Sequence, residues 1–86
     1  MESEKREPSL LYVYSRNIEV RLALLGISHS EMAAKLNVSP TNITRIKNHI
    51  VKFIDPETLS ELLRFFNCTP NDLLLKQEGV NYDFTW

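Results

Sequence analysis

The chain has 86 residues, of which 43% are hydrophobic and 24% are charged, a composition that is ordinary for a globular domain and excludes a disordered or fibrous protein. No apolar run approaches the ~20 residues of a membrane-spanning helix. The single cysteine, Cys68, excludes an internal disulfide and a thiol-ligated zinc site. The sequence therefore predicts one small cytoplasmic domain with no membrane segment and no metal or other cofactor.

Positive charge is concentrated in the middle of the chain. The formal net charge of the whole protein is −1, which by itself does not indicate a nucleic-acid-binding domain. Residues 28–53, however, carry a single acidic side chain, Glu31, against four basic ones, which are Lys35, Arg45, Lys47 and Lys52. Positive charges that are grouped in one segment can attract an anionic partner even when the net charge of the protein is near zero.

The two ends of the chain have the composition of strands. Leu10–Tyr14 is rich in strand-forming residues, and Val80–Trp86 alternates apolar and polar side chains. The two segments either pair as a small sheet, within one chain or between two, or remain tails that dock aromatic side chains on the helices. The predicted organisation is a flexible tail over residues 1–9, a helical domain over residues 10–76, and an aromatic tail over residues 77–86 that serves as a strand or as a dimer or partner contact.

Five short helices are predicted between residues 16 and 75. Ser15 is a candidate N-cap for the first helix, which Gly26 ends and whose inward positions are Ile18, Leu22 and Leu25. Ser28 and Glu31 form the capping-box pattern that begins the second helix. The other three begin at a cap residue followed by proline, which suits the first helical turn: Ser39-Pro40, Asp55-Pro56 and Thr69-Pro70. The predicted fold class is a compact all-α, five-helix domain.

The second and third predicted helices follow the helix-turn-helix plan. Ala33 provides the small side chain that is needed where the two helices cross. Asn37 suits the turn, because asparagine tolerates the left-handed backbone conformation. The third helix is attached to the core by Val38, Ile43 and Ile46. Helical geometry then turns five side chains outward, which are Pro40, Thr41, Thr44, Arg45 and Asn48. Such a face suits a DNA major groove, where Arg45 can pair with guanine and the threonines can contact thymine methyl groups or base edges.

The sequence also resembles the Cro/repressor-type (Xre-like) helix-turn-helix proteins, which are bacterial and phage regulators. Residues 26–48 (GISHSEMAAKLNVSPTNITRIKN) follow that motif, and the resemblance continues through Ile-Asp-x-x-Thr-Leu and Asn-Cys-x-Pro-x-Asp-Leu-Leu to residue 75. It implies that His29 stands where the family has a phosphate-contacting glutamine. It places at the DNA-facing positions Ser39, Pro40, Thr41, Thr44 and Arg45, and near the flanking DNA backbone Asn42, Asn48 and Lys52.

Two residues depart from the family pattern. Lys47 replaces a frequent glutamate, which adds positive charge beside the groove-binding helix. Pro40 replaces a long polar residue that often reads a base, so that position is limited to apolar contact. Base specificity is therefore expected to be modest, with DNA shape contributing more.

The expected function is a sequence-specific, repressor-like transcriptional regulator that places helix 39–47 in the major groove of double-stranded DNA as a homodimer. The alternative is a helix-turn-helix scaffold that acts mainly through a protein partner, as antitoxins or anti-repressors do. This second interpretation is favoured by the near-neutral net charge and by the aromatic residues Tyr82, Phe84 and Trp86. No enzyme is expected, because the chain has neither a glycine-rich phosphate loop nor a catalytic triad or carboxylate pair in a suitable setting.

Ordinary structural explanations remain open for several of these residues. His29 and His49 suit solvated surface positions, and Cys68 suits a small buried apolar position. Arg45, Lys47 and Lys52 can form merely a solvated face. The apolar side chains of the fourth helix suit core and dimer contact rather than a ligand pocket: Leu59, Leu62, Leu63, Phe65 and Phe66.

Overall fold

A computed structural model of the protein describes residues 8–82, and its regular elements in that range are all α-helices. The helices are α1 (Leu10–Leu25), α2 (His29–Lys35), α3 (Pro40–Lys47), α4 (Pro56–Phe66) and α5 (Pro70–Leu74). The predicted all-α class is therefore confirmed. Within residues 8–82, no helix is both long enough and apolar enough to cross a lipid bilayer.

The predicted starts of α2 to α5 are confirmed, because each helix begins directly after its expected cap residue. The Ser28 hydroxyl accepts a hydrogen bond from the Glu31 backbone N–H at 3.0 Å, and the Glu31 carboxylate accepts one from the Ser28 N–H at 2.8 Å. These bonds satisfy backbone donors that a helix cannot pair internally. The other three helices have proline in the first turn after the expected cap residues, which are Ser39, Asp55 and Thr69.

The prediction of a strand at Leu10–Tyr14 is wrong, because these residues form the beginning of α1. Ser9 is the N-cap, and its hydroxyl accepts a hydrogen bond from the Tyr12 N–H at 3.1 Å. Ser15 is not a cap: it is buried inside the helix, and its hydroxyl donates to the Tyr12 carbonyl at 3.0 Å. Strand-forming composition is overridden here by a helical stripe of buried side chains that starts before Ser15 and includes Tyr14, Ile18 and Leu22.

Leu25 does not face the core as the helical spacing predicted, since 57% of it is exposed. The helix ends one residue later at Gly26, whose φ of 72° reverses the chain direction. Ile27, immediately after the turn, packs against the buried core. The turn therefore brings in an apolar side chain from the following segment, while Leu24 and Leu25 at the end of α1 are exposed to solvent.

Asn37 does not adopt the left-handed conformation that was expected between α2 and α3. α2 ends at Lys35, and its C-cap residue Leu36 is extended, with φ −107° and ψ 152°. The non-glycine residues with positive φ in residues 8–82 are His49 and Asn67. An extended Leu36 lets its side chain pack against the core, and the connection needs no left-handed residue.

A single buried cluster holds the helices together. Ala33 and Val38 pack against it at the expected helix crossing, and both predicted anchors of α3 are part of it. The residues of this cluster are Tyr14, Ile18, Leu22, Met32, Ile43, Ile46, Leu62 and Leu73. Every helix contributes at least one of them, so α3 is fixed to the same core as the helices around it.

Tyr82 is anchored on α1 through a buried polar junction. Only 7% of this side chain is exposed, and its hydroxyl donates to Asn17 Oδ1 while accepting the Gln77 N–H at 2.7 Å. Asn17 also donates through Nδ2 to the carbonyl oxygens of Leu73 and Leu75, each at 2.9 Å. The segment after α5 is thus joined to the first helix.

Tyr82 therefore docks on a helix of its own chain, which is the second of the two possibilities that the sequence left open for the C-terminal segment. Its ring and hydroxyl are committed within its own chain because the buried Asn17 carbonyl needs a donor. Residues 80–82 form no strand. Phe84 and Trp86, which belonged to the same prediction, lie outside the described residues.

Candidate nucleic-acid interface

α3 has one buried and one exposed face. Ile43 and Ile46 are in the core, and the expected outward residues all lie on the exposed side: Pro40, Thr41, Thr44, Arg45 and Asn48. Ser39, also exposed, accepts a hydrogen bond from the Thr41 N–H at 3.2 Å and so begins the helix. The exposed face therefore carries hydroxyl, amide and guanidinium groups that can pair with base edges in a major groove.

The basic side chains of α3 and the loop after it differ from the arginines of the other helices in having no ion pair among residues 8–82. Three arginines outside this region are held by carboxylates, in the pairs Arg16–Glu19 at 2.7 Å, Arg21–Asp72 at 3.8 Å and Arg64–Glu61 at 2.9 Å. Within residues 8–82, no carboxylate forms an ion pair with Arg45, Lys47 or Lys52, all of which are exposed. These three charges are therefore available to an external anion.

His29 is the first residue of α2 and is half-buried. Its Nε2 atom is buried and has no hydrogen-bond partner among residues 8–82. Burial lowers the pKa of His29, an effect that Glu19 opposes and that Lys47 and His49 reinforce. Burial therefore favours the neutral imidazole in the free protein, and a neutral imidazole can still hydrogen-bond to phosphate.

Asn42 is placed differently from the other candidate residues. It is half-buried, and its Nδ2 lies 3.3 Å from the Thr58 hydroxyl oxygen of α4. The Thr58 hydroxyl donates to the Asp55 carboxylate at 2.7 Å. Asn42 is thus part of the junction between α3 and α4, whereas Thr41, Thr44 and Arg45 are exposed to solvent.

The loop that carries Lys52 is attached to α1 by His49. This residue has a φ of 58°, and its Nδ1 lies 2.7 Å from Ser15 Oγ while its Nε2 lies 3.4 Å from Glu19 Oε1. Sequence reasoning treated His49 as a solvated residue and missed this attachment. Its position just after a helix was a signal, because histidine tolerates the left-handed conformation better than most residues.

The cavity behind α3 is too small to hold a small-molecule effector. The cavity between α3 and the following loop has a volume of about 20 Å³ and is lined in part by Arg45, Val51 and Phe53. That volume accommodates about one water molecule. Nor does the described part of the chain bring together three histidine, cysteine, aspartate or glutamate side chains as a metal site requires.

Comparison with known proteins agrees with this geometry. The sequence profile of the Cro/C1-type HTH (helix-turn-helix) DNA-binding domain matches residues 17–75. This range includes residues 17–25 of α1 and the whole of each of the other four helices. No curated protein and no solved structure matches the chain significantly. Since the profile covers more than half of the sequence and includes α3 with its unpaired basic side chains, the chain belongs to the Cro/C1-type helix-turn-helix DNA-binding domain family.

Proposed function

We propose that this protein is a cytoplasmic, sequence-specific transcriptional regulator that binds operator DNA as a homodimer and acts as a repressor. The observation that carries the proposal is the exposed face of α3, where Arg45 and Lys47 have no carboxylate partner within residues 8–82. Charges that are already paired within the protein contribute little to phosphate binding, whereas unpaired ones displace counterions from DNA.

The proposed contacts follow from the chemistry of each side chain. Arg45 is long enough to donate two hydrogen bonds to guanine O6 and N7, which the major groove presents as adjacent acceptors. Thr41 and Thr44 contact thymine methyl groups or base edges, and Pro40 adds an apolar contact. Phosphate contacts are assigned to His29, Ser39, Asn48 and Lys52, which position α3 without reading sequence.

A homodimer is part of the proposal because one short helix reads few base pairs. A genome offers about 10⁶–10⁹ competing sites, and the few base pairs that one helix reads cannot distinguish one of them. Two copies on a two-fold operator, with half-sites about 34 Å apart, double the length of sequence that is read. A repressor needs no further activity, because a dimer seated across a promoter excludes other proteins from it.

The proposal is tested first by fluorescence anisotropy with duplex DNA at about 50 and about 200 mM salt. We expect affinity for generic duplex to fall steeply with salt, and a random library to yield a two-fold symmetric operator. The variant Arg45→Ala should lose operator affinity, whereas the matched control Arg64→Ala, which removes the same charge from α4, should not. Sedimentation of the operator complex should give two protein chains per duplex. Absence of binding at the lower salt concentration would refute the DNA-binding proposal.

A second candidate, a scaffold that acts mainly by binding protein, is favoured by one observation. Leu24 and Leu25 are adjacent at the end of α1, and 82% and 57% of these residues are exposed. Two neighbouring exposed leucines suit a protein contact when the net charge is only −1. Absence of DNA binding at the lower salt concentration would favour this candidate, whereas salt-dependent DNA binding is compatible with both functions in one protein.

A further inference from the structure

We infer that Asn42 is a positioning residue of the DNA-reading helix, acting through Thr58 and Asp55 of the α3–α4 junction and not on a base or a phosphate. The inference rests on the proposed function, because it concerns how α3 is held for DNA binding. The sequence resemblance placed Asn42 near the DNA backbone. The hydrogen bonds in the structure assign it to a different task.

The direction of these hydrogen bonds follows from the donors and acceptors that are available. Asp55 caps α4, and its carboxylate accepts the Thr58 N–H at 3.0 Å and the Thr58 hydroxyl at 2.7 Å. The Thr58 hydroxyl has one hydrogen, which it donates to Asp55. Its buried oxygen can therefore only accept a hydrogen bond from α3. Asn42 must therefore donate through Nδ2, which lies 3.3 Å from that oxygen.

This chain of bonds constrains a part of α3 that apolar packing leaves free. Ile43 and Ile46 fix the depth of the helix in the core, but apolar contacts are not directional. Asn42 lies in the first helical turn, next to Thr41 and close to Ser39, where the helix is expected to meet the bases. A directional bond from this turn to the start of α4 resists rotation and tilt of α3. Small displacements matter, because a site must be held to within about 0.5 Å to keep its polar contacts.

The inference is tested by a double-mutant cycle on binding to the operator that the wild-type protein selects. Asn42→Ala and Thr58→Val each break the Asn42–Thr58 bond, and each should weaken operator binding about threefold to tenfold. The double variant should bind about as well as the weaker single variant, because the same bond is lost only once. Thr58→Ser keeps the hydroxyl and should restore near wild-type affinity. Ser60→Ala, an exposed change on α4, is the matched control and should have no effect.

Three results would overturn the inference. The first is an additive cycle, in which Asn42→Ala costs the same affinity with and without the Thr58 hydroxyl. The second is a loss for Asn42→Ala that is confined to operators with one particular base pair, which would show direct readout. The third needs no variant: nuclear Overhauser contacts from the Asn42 side-chain amide protons to DNA, in the wild-type complex, would show that the residue touches the ligand. Failure of the wild-type protein to bind any duplex would instead refute the proposed function.

Discussion

The junction between Asn17 and Tyr82 gives the sharpest test of the structure, through the substitution Tyr82→Phe. The change removes one oxygen and keeps the ring in its buried position. It deletes the hydroxyl that donates to Asn17 Oδ1 and accepts the Gln77 N–H. Because Asn17 is itself almost fully buried, no neighbouring water can replace the lost donor without rearrangement.

The expected loss of stability follows from the two groups that are left without a partner. A buried polar atom that loses its partner costs about 1–3 kcal/mol, which applies to Asn17 Oδ1. The Gln77 N–H is only partly buried, so water recovers part of its bond and the cost there is about 1 kcal/mol. The free energy of unfolding should therefore fall by about 2–4 kcal/mol. For a domain of this length, the melting temperature should fall by about 10–25 °C.

The assay is urea and thermal unfolding followed by circular dichroism at 222 nm, with Asn37→Ala as the control. Asn37 is exposed, so its substitution should change the unfolding free energy by less than about 0.5 kcal/mol. Asn17→Ala combined with Tyr82→Phe should cost less than the sum of the single changes, because both remove the same hydrogen bond. A loss below about 0.5 kcal/mol for Tyr82→Phe would refute the reasoning, since the hydroxyl would then have no structural partner of consequence.

Three further predictions concern DNA binding and pH. Arg45→Ala should cost about 1–3 kcal/mol at its cognate base pair and relax specificity there, and unchanged discrimination among operator variants would exclude base reading by this residue. Lys52→Ala should weaken binding to every duplex and reduce the slope of log affinity against log salt by about one, whereas a loss limited to one sequence would contradict a phosphate contact. Burial holds the pKa of His29 in the folded protein below its usual value of 6.5. As the pH falls below about 6.5, His29 therefore binds a proton in the unfolded chain more readily than in the folded protein. The stability that the neutral His29 contributes is lost over this pH range. The unfolding free energy of His29→Gln should therefore decline less than that of the wild type between about pH 8 and about pH 5.5, and parallel declines would show that His29 titrates normally.

Local patterns in the sequence were sufficient to predict the fold class, the starts of four helices and the outward face of α3. Each of these depends on residues within one or two turns of each other. The Ser28 and Glu31 capping box, for example, joins residues three positions apart, and the alternation of Ile43 and Ile46 with exposed residues is a property of one helix. Interactions of this range are encoded in spacing alone, so they can be recognised without knowing what lies on the other side of the helix.

Tertiary structure decided which polar side chains are committed inside the protein. Ser15 contacts His49 across 34 positions of sequence, Asn42 contacts Thr58 across 16, and Tyr82 contacts Asn17 across 65. None of these three contacts was predicted from the sequence, because a polar side chain has the same appearance in a sequence whether its partner is external or distant in the same chain. The sequence by itself determined the starts of α2 to α5 and the face that α3 presents. The packing of those helices decided how much of each polar group remains free to bind, since a hydrogen bond made within the fold uses one donor hydrogen and one acceptor lone pair.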